Sequence, residues 1–229
     1  MTLSLRNASF LMVVVLLGAC SAPGPREPEW RGAARSALAD YVQQRLEGHA
    51  GAARAYALAL ERMRDGGDLD GLHTVLLARC AMDVALLAMP DCGEFLQRAH
   101  PARAEALAYY DFLHGTLTLD RVAALPERYR AFAGAIMVSD GRSIAQPLAA
   151  IAEPVSRIVA AGVAVRAGRA DDQVLMISAS LARAQGWRTT HRAHEEARAA
   201  WLEGHGRSAE AAALRARLRA LFDTTGVAH

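Results

Sequence analysis

Two of the three cysteines, Cys80 and Cys92, are the residues of this sequence with the clearest capacity for covalent chemistry. A pair of thiols either oxidises to a disulfide or stays reduced inside the protein, and an oxidising compartment favours the bond. Which state forms depends on whether the helices around the pair allow the two sulfur atoms to meet.

The helical pattern around Cys80 sets the condition for a disulfide. A straight helix that runs to Pro90 would leave Cys80 about 13 Å from the helix end, at about 1.5 Å per residue. A disulfide tolerates a Cα separation of only about 4.4–6.8 Å. If the helix ends near Leu86 and residues 87–91 fold back, Cys92 comes alongside. We predict this second arrangement and a disulfide; two buried thiols are the alternative.

His191 and His194 are metal-ligand types that lie three positions apart on a predicted helix, with Glu195 directly after them. A helical zinc site places its histidines four apart around a glutamate, and a closed site needs three or four ligands. The segment fits neither pattern. We predict no metal there and interpret the segment as a solvated polar face of a helix.

Several carboxylates that could serve calcium binding or catalysis have simpler structural explanations. Asp68-Leu69-Asp70-Gly71 begins like a calcium loop, but the position of the bidentate glutamate is Leu77, so capping of a helix by Asp68 is favoured. Glu153 directly precedes a proline, which is typical of a helix start. Glu94 and Glu105 lack the adjacent serine of glycan-cleaving transglycosylases. These residues predict no catalytic site.

The most polar internal loop is Ser139-Asp140-Gly141-Arg142-Ser143, which could hold an anion through backbone amides and Arg142. We favour a turn followed by a helix cap. No Cys-x-x-Cys-His motif for covalent haem is present, and we predict no cofactor.

The beginning of the sequence is typical of a segment built for export. Arg6 precedes an apolar run of about a dozen residues, which is shorter than the roughly twenty that a membrane-spanning helix needs. The run ends in Leu17-Gly18-Ala19-Cys20, which resembles the signal of bacterial lipoproteins. That resemblance implies cleavage of residues 1–19 as a signal peptide, diacylglycerol on the sulfur of Cys20, and acylation of the new amino terminus.

The resemblance to lipoproteins also implies a location. In such proteins an aspartate directly after the lipidated cysteine commonly retains the protein in the inner membrane, whereas serine permits export, and here the residue is Ser21. We therefore expect a lipid anchor on the periplasmic face of the outer membrane, an oxidising compartment that favours a disulfide. Residues 20–29 are rich in proline and predict an extended tether that reaches about 30 Å at most.

The composition bounds the size and the partners of the mature protein. About 210 of the 229 residues remain after cleavage, enough for one domain or one short solenoid. The formal net charge is +2 at pH 7, and loss of Arg6 brings the mature chain close to neutrality. A nearly neutral chain lacks the excess of basic residues that is typical of nucleic-acid-binding proteins, so we expect no nucleic-acid partner.

Apolar residues after the tether recur at helical spacing, and breaks that contain Gly, Pro or Asp divide the chain into about eleven helices. We predict an all-α domain over residues 30–223, followed by a flexible tail of residues 224–229. Asp171 is expected to cap a helix start, and Gly168 to close the helix before it. Trp187 and Trp201 are expected to be wedges between helices.

A short segment that occurs twice in the sequence predicts repeated helical hairpins. The segment Leu46-Glu47-Gly48-His49 recurs as Leu202-Glu203-Gly204-His205, and both copies are followed at equal offsets by three alanines and a leucine. In this the chain resembles the middle of a tetratricopeptide repeat, where a glycine closes one helix and small residues let the next pack closely. The resemblance covers about a third of the chain and implies antiparallel hairpins stacked as a short tetratricopeptide-like solenoid. The small residues that match its packing positions are Ala53, Ala57, Ala209 and Ala213.

These features lead to two hypotheses for function. The first is a non-enzymatic, lipid-anchored periplasmic protein that acts as a protein–protein interaction scaffold or envelope assembly factor, with another envelope protein as its partner. The resemblance suggests a role like that of tetratricopeptide-type lipoproteins that act in outer-membrane barrel assembly or as pilotins. The alternative is an envelope enzyme or small-ligand binder with a pocket in the 91–153 region, lined by His114, Glu105 or Arg142.

Overall fold

The computed structural model describes residues 28–138 and 142–222, and every regular element in these two ranges is helical. They contain eleven α-helices and one 3-10 helix, so the all-α prediction is confirmed. The helices are α1 (Glu29–Glu47), α2 (Ala52–Asp65), α3 (Leu69–Ala85), α4 (Gly93–Arg98), α5 (Ala104–His114), the 3-10 helix (Leu119–Ala124), α6 (Glu127–Met137), α7 (Ala145–Ala149), α8 (Pro154–Arg166), α9 (Asp172–Ala184), α10 (Arg188–Gly204) and α11 (Ser208–Phe222).

Local capping explains where several helices begin. The Oδ1 atom of Asp68 accepts a hydrogen bond from the backbone N–H of Gly71 at 2.8 Å, which caps α3. Asp171 accepts from the N–H of Val174 at 2.8 Å and caps α9 in the same way. These contacts satisfy amides that have no partner inside the helix. Both capping predictions are confirmed.

Helices α1 and α2 form an antiparallel hairpin closed by Gly48, whose φ of 88° is readily adopted only by glycine. Ala34 of α1 and Ala59 of α2 are fully buried and let the two helices approach closely. The alanines expected at the tetratricopeptide packing positions are exposed instead. Those residues are Ala53, Ala57, Ala209 and Ala213.

The exposure of these four alanines has a geometric cause. In the α10–α11 hairpin the buried residues of α11 are Ala211, Leu214 and Leu218, which lie three and four positions apart on one face. A rotation of the helix that buries this face turns Ala209 and Ala213 toward solvent. The repeated segment therefore predicts the positions of two hairpins correctly. The alanines that pack inside these hairpins are not the ones that the tetratricopeptide resemblance indicates.

Helices α3 and α8 cross at the centre of the largest apolar cluster. The crossing is close because Gly162 of α8 faces the carbonyl group of Val84 in α3 without a side chain between them. A Cβ atom added at Gly162 would overlap the Val84 oxygen and lie 2.7 Å from its carbonyl carbon. Helices α1, α5, α6 and α9 surround this central pair.

The start of α10 docks onto the end of α1. Thr190 donates its hydroxyl hydrogen to the backbone oxygen of Leu46 at 2.9 Å, and both residues are fully buried. The indole N–H of Trp187 donates to Gln43 Oε1 at 3.3 Å, and the ring is buried between helices as predicted. Trp201 is only partly buried, and its ring stacks on a neighbouring histidine. These contacts join the two ends of the body.

None of the helices in the described ranges is both long enough and apolar enough to cross a membrane.

We predict that Gly162→Ala lowers the free energy of unfolding by about 3 kcal/mol, because the added methyl group forces α3 and α8 apart. Chemical denaturation followed by circular dichroism measures this change. Gly134→Ala is the matched control: Gly134 lies inside α6 with no atom within 4 Å of an added Cβ. That variant should gain about 0.5–1 kcal/mol. Equal effects of the two substitutions would contradict the close crossing.

Candidate functional site

The cysteine pair lies where α3 ends. The helix stops at Ala85, and Leu87 adopts a left-handed conformation with φ of 56° that turns the chain back. This turn brings Cys92 beside Cys80, with Cα atoms 5.2 Å apart, and the structure joins the two as a disulfide. Both cysteines are buried in the main apolar cluster. The early end of the helix, on which the disulfide prediction depended, is confirmed.

Asp83 holds the returning loop in place. Its Oδ2 atom accepts a hydrogen bond from the backbone N–H of Asp91 at 3.2 Å, and Oδ1 accepts from Arg45 Nη2 at 2.9 Å. The backbone oxygen of Asp83 also accepts from the N–H of Ala88 at 2.9 Å. Since Asp83 is only 8% exposed, these partners compensate a desolvated carboxylate. One residue thus links α1, the last turn of α3 and the disulfide loop.

The histidines of α10 do not share a ligand site. His194 is fully buried, and its Nε2–H donates to the backbone oxygen of Ala85 at 2.9 Å. His191 Nε2 lies 3.6 Å from Glu195 Oε1, and Glu195 also pairs with Arg217 at 3.1 Å. The interpretation of this segment as a solvated face is wrong for His194 and Glu195. The cause is tertiary packing, because α10 is covered by α9 and α11 and His194 reaches the Ala85 oxygen at the end of α3.

A cleft of about 560 Å³ opens between α3, α5, α6 and α8. Its deepest lining is apolar and buried, and includes Leu77, Ala81 and Val159. Helix α3 lines the cleft with residues that recur three or four positions apart and therefore lie on one face of the helix. The α3 residues that line the cleft are Asp70, His73, Thr74, Leu77, Ala78, Ala81 and Met82. The volume lies within the range of known ligand sites, and the cleft is the candidate functional site.

Two tyrosines supply the polar groups inside the cleft. Tyr109 of α5 and Tyr129 of α6 stack with ring centroids 5.4 Å apart and hydroxyl oxygens 3.5 Å apart. Burial raises the pKa of both hydroxyls, and that of Tyr109 rises well above its usual value with a further contribution from Tyr129. Ser156 of α8 opposes this rise in the pKa of Tyr129. The pair is therefore neutral at physiological pH and suited to hydrogen bonding rather than nucleophilic attack.

The charged side chains at the rim of the cleft other than Glu105 have structural partners. Arg103 pairs with Asp70 at 2.7 Å. The two carboxylate oxygens of Glu153 accept hydrogen bonds from backbone amides in the first turn of α8 at 2.8 and 2.5 Å. Glu153 is thus a helix cap, as predicted from the proline that follows it. Arg128 lies with its guanidinium carbon 5.6 Å from the centre of the Tyr129 ring.

The structure places the residues expected around a pocket in the 91–153 region in different surroundings. Glu105 lines the cleft at its exposed rim. His114 is the last residue of α5 and lies beside the disulfide, and Arg142 is not among the residues that line the cleft. Glu94 pairs with Arg64 at 3.0 Å. Residues 91–153 form only part of the cleft, because α3 and α8 complete it.

Sequence reasoning missed Tyr109, Tyr129 and the α3 face as parts of a site. Small and polar residues recur among the apolar ones of α3 at positions 70, 74, 78 and 81, which is a weak signal of a face that is not packed. Nothing in the sequence shows that the two tyrosines meet, since they come from separate helices.

Several predicted features lie outside the described residues. They include Cys20 with the signal-like segment, the loop positions 139–141 and the tail of residues 224–229. Of the polar loop, Ser143 is described, and its Oγ accepts a hydrogen bond from the backbone N–H of Ala145 at 3.2 Å. The N-cap residue of α7 is Ile144, which makes no side-chain cap hydrogen bond, so the helix cap expected after the loop is not formed.

Comparison of the chain with protein-family models, with curated protein sequences and with solved structures finds no match.

The burial of His194 predicts a specific pH dependence of stability. Burial lowers the pKa of His194 to about 4, whereas an unfolded chain has a histidine pKa of about 6.5. Between these values the unfolded state binds more protons, so stability falls as the pH drops from about 6.5 to about 4. The contribution of His194 to this loss is about 3 kcal/mol.

The pH effect is measured by chemical denaturation across this range. His194→Gln, which keeps a donor for the Ala85 oxygen but does not titrate, should show a shallower loss than the wild type. His49→Gln is the control, because His49 is exposed, and it should keep the wild-type slope. A loss of stability in His194→Gln as steep as that of the wild type would contradict the assignment of the pH dependence to His194.

Proposed function

We propose that this chain is a non-enzymatic, lipid-anchored periplasmic protein of the outer membrane that acts as a protein–protein interaction scaffold or envelope assembly factor. The lipoprotein-like segment ending at Cys20 supports the anchor. Helix α1 begins at Glu29, so the spacer after Cys20 reaches under about 30 Å even when extended. A spacer of this length keeps the cleft near the membrane surface, where other envelope proteins are anchored.

The observation that carries the proposal is the cleft between α3, α5, α6 and α8. An apolar centre surrounded by a polar and charged rim is the usual composition of a protein-binding surface. Leu77, Ala81 and Val159 supply the centre, and Tyr109 and Tyr129 offer hydrogen bonds beside it. We infer that a segment of a partner protein inserts one or two apolar side chains here and is fixed by the phenolic hydroxyls.

The state of the carboxylates favours recognition over catalysis. Glycan cleavage uses two carboxyl groups that flank the scissile bond, one of them as a proton donor. In the described part of the cleft, the carboxylate of Glu153 caps α8, and the carboxylate of Asp70 forms an ion pair with Arg103. Glu105 remains as a single exposed acid. This arrangement supports a binding function.

We predict that the mature protein contains no free thiol, because lipid occupies Cys20 and a disulfide joins Cys80 to Cys92. Alkylation after denaturation without a reductant should label no cysteine, and prior reduction should expose Cys80 and Cys92 alone. Mass spectrometry of the peptides gives the count. Labelling of Cys20 would contradict the lipid anchor, and labelling of the other two without reduction would contradict the disulfide.

Cys20→Ala provides the matched control for the anchor. This variant should leave the membrane fraction and keep the same two reducible cysteines. Its retention with outer-membrane markers would contradict anchoring through Cys20, and fractionation of the wild type with inner-membrane markers would contradict the proposed location.

We predict that a photoreactive amino acid at Thr74 or Glu105, on the exposed rim of the cleft, crosslinks in cells to one discrete envelope protein. The same probe at Ala213, which is exposed on α11, should give no such adduct. Mass spectrometry of the adduct identifies the partner. Equal adducts from all three positions, or none from the cleft in the anchored protein, would contradict the scaffold function.

A substitution that fills the cleft tests the same contact. Ala78→Arg adds bulk and charge to the partly exposed α3 face and should reduce the Glu105 adduct about tenfold, in line with the loss of roughly 1.4 kcal/mol of binding. Ala212→Arg, on an exposed position of α11, should leave it unchanged. Circular dichroism of both variants verifies that the helices are intact.

A small-ligand binder is the second candidate function. The specific observation in its favour is the stacked pair Tyr109 and Tyr129, whose hydroxyls converge within a cleft of about 560 Å³. A small molecule that co-purifies in native mass spectrometry and is lost in Ala78→Arg, together with absent protein adducts, would favour this function over the scaffold.

A further inference from the structure

A histidine lies next to the cysteine pair and completes a set of three metal-ligand types. One ring nitrogen of His114 and the sulfur atoms of Cys80 and Cys92 all lie within 4.8 Å of one another. Cys80 comes from α3, Cys92 directly precedes α4, and His114 ends α5. In residues 28–138 and 142–222 no other group of three His, Cys, Asp or Glu side chains converges this closely.

The imidazole of His114 is arranged as a ligand rather than as a hydrogen-bonded core group. Its Nε2 atom is buried and has no hydrogen-bond partner, which is uncommon for a buried polar atom. The ring is held by Tyr110, with centroids 4.4 Å apart.

We propose that Cys80, Cys92 and His114 form a zinc site that is controlled by the redox state of the cysteines. The disulfide form binds no zinc. The reduced form binds one Zn²⁺ through two thiolates and the imidazole of His114, and water is the fourth ligand.

The conversion between the two forms balances through known thiol chemistry. A protein dithiol reduces the disulfide by exchange: it gives two electrons and two protons, becomes a disulfide itself, and leaves two thiols at Cys80 and Cys92. Zn²⁺ then replaces the two thiol protons, which are released to solvent as two zinc–sulfur bonds form. Exchange with a protein disulfide reverses the step: that disulfide accepts two electrons and two protons and becomes a dithiol, the two thiolates join again as the Cys80–Cys92 bond, and Zn²⁺ is released.

Charge and geometry both favour zinc at this position. Two thiolates, a neutral imidazole and Zn²⁺ sum to zero charge, so the complex places no net charge in the apolar cluster around Cys80 and Cys92. Tetrahedral zinc has bonds of about 2.3 Å to sulfur and 2.0 Å to nitrogen, which sets the ligand atoms about 3.5–3.8 Å apart. His114 is within small side-chain rotations of that distance, and reduction frees the sulfur atoms to separate.

The test uses purified lipidated protein in detergent, reduced with a phosphine until two thiols per chain are titrated. Co²⁺ then serves as a spectroscopic probe. We expect one Co²⁺ per chain with thiolate-to-cobalt charge-transfer absorption, its displacement by Zn²⁺, and protection of both cysteines from alkylation by Zn²⁺. The disulfide form should bind neither ion at this site. Cobalt binding without the thiolate band, or no binding by the reduced protein, would overturn the proposal.

Variants separate a ligand role of His114 from a structural one. His114→Phe keeps a ring against Tyr110 but removes the nitrogen, and it should weaken Zn²⁺ binding about a hundredfold, at least as much as the loss of an outer-shell partner does. His49→Phe, at an exposed position, should bind Zn²⁺ like the wild type. Circular dichroism verifies the fold of each variant. Unchanged affinity in both His114→Phe and a second variant, His114→Ala, would exclude His114 as a ligand.

Discussion

The last turn of α3 is the constraint on which the rest of this fold depends. The carbonyl group of Val84 lies against Gly162 and sets the distance between α3 and α8. The next carbonyl, that of Ala85, accepts the hydrogen bond of His194 and fixes α10. The side chain of Asp83 binds both α1 and the disulfide loop. The final carbonyls of a helix lack partners within it, which leaves the Ala85 oxygen available to His194.

The position of the cleft follows from this constraint. Ala81 and Val159, two lining residues of the cleft, each lie three residues, nearly one helical turn, before Val84 and Gly162 respectively. The width of the cleft between α3 and α8 is therefore set by the close crossing at Gly162. Cys80, next to Ala81 in sequence, belongs to the disulfide instead. The two candidate sites share one helix and use different faces of it.

The features that could be predicted from the sequence are those determined by local interactions. Asp68 and Asp171 cap helices through amides three residues away, and Gly48 ends α1 by its own backbone freedom. The features that could not be predicted depend on helix rotation and long-range packing. In an alanine-rich chain Ala53 and Ala59 look equivalent, yet only Ala59 is buried. His194 looked solvated because its acceptor is more than a hundred residues away.

The disulfide loop and the docking of α10 depend on the same event, the end of α3 at Ala85. In a continued helix the carbonyl of Ala85 would accept the N–H of Met89, which would compete with the hydrogen bond from His194. The same continuation would keep Cys92 out of reach of Cys80. Ending the helix requires a left-handed Leu87, a conformation that costs a non-glycine residue about 1–2 kcal/mol. That cost is offset by two separate contacts, so a change that straightens this turn disturbs the cysteine pair and the α10 interface together.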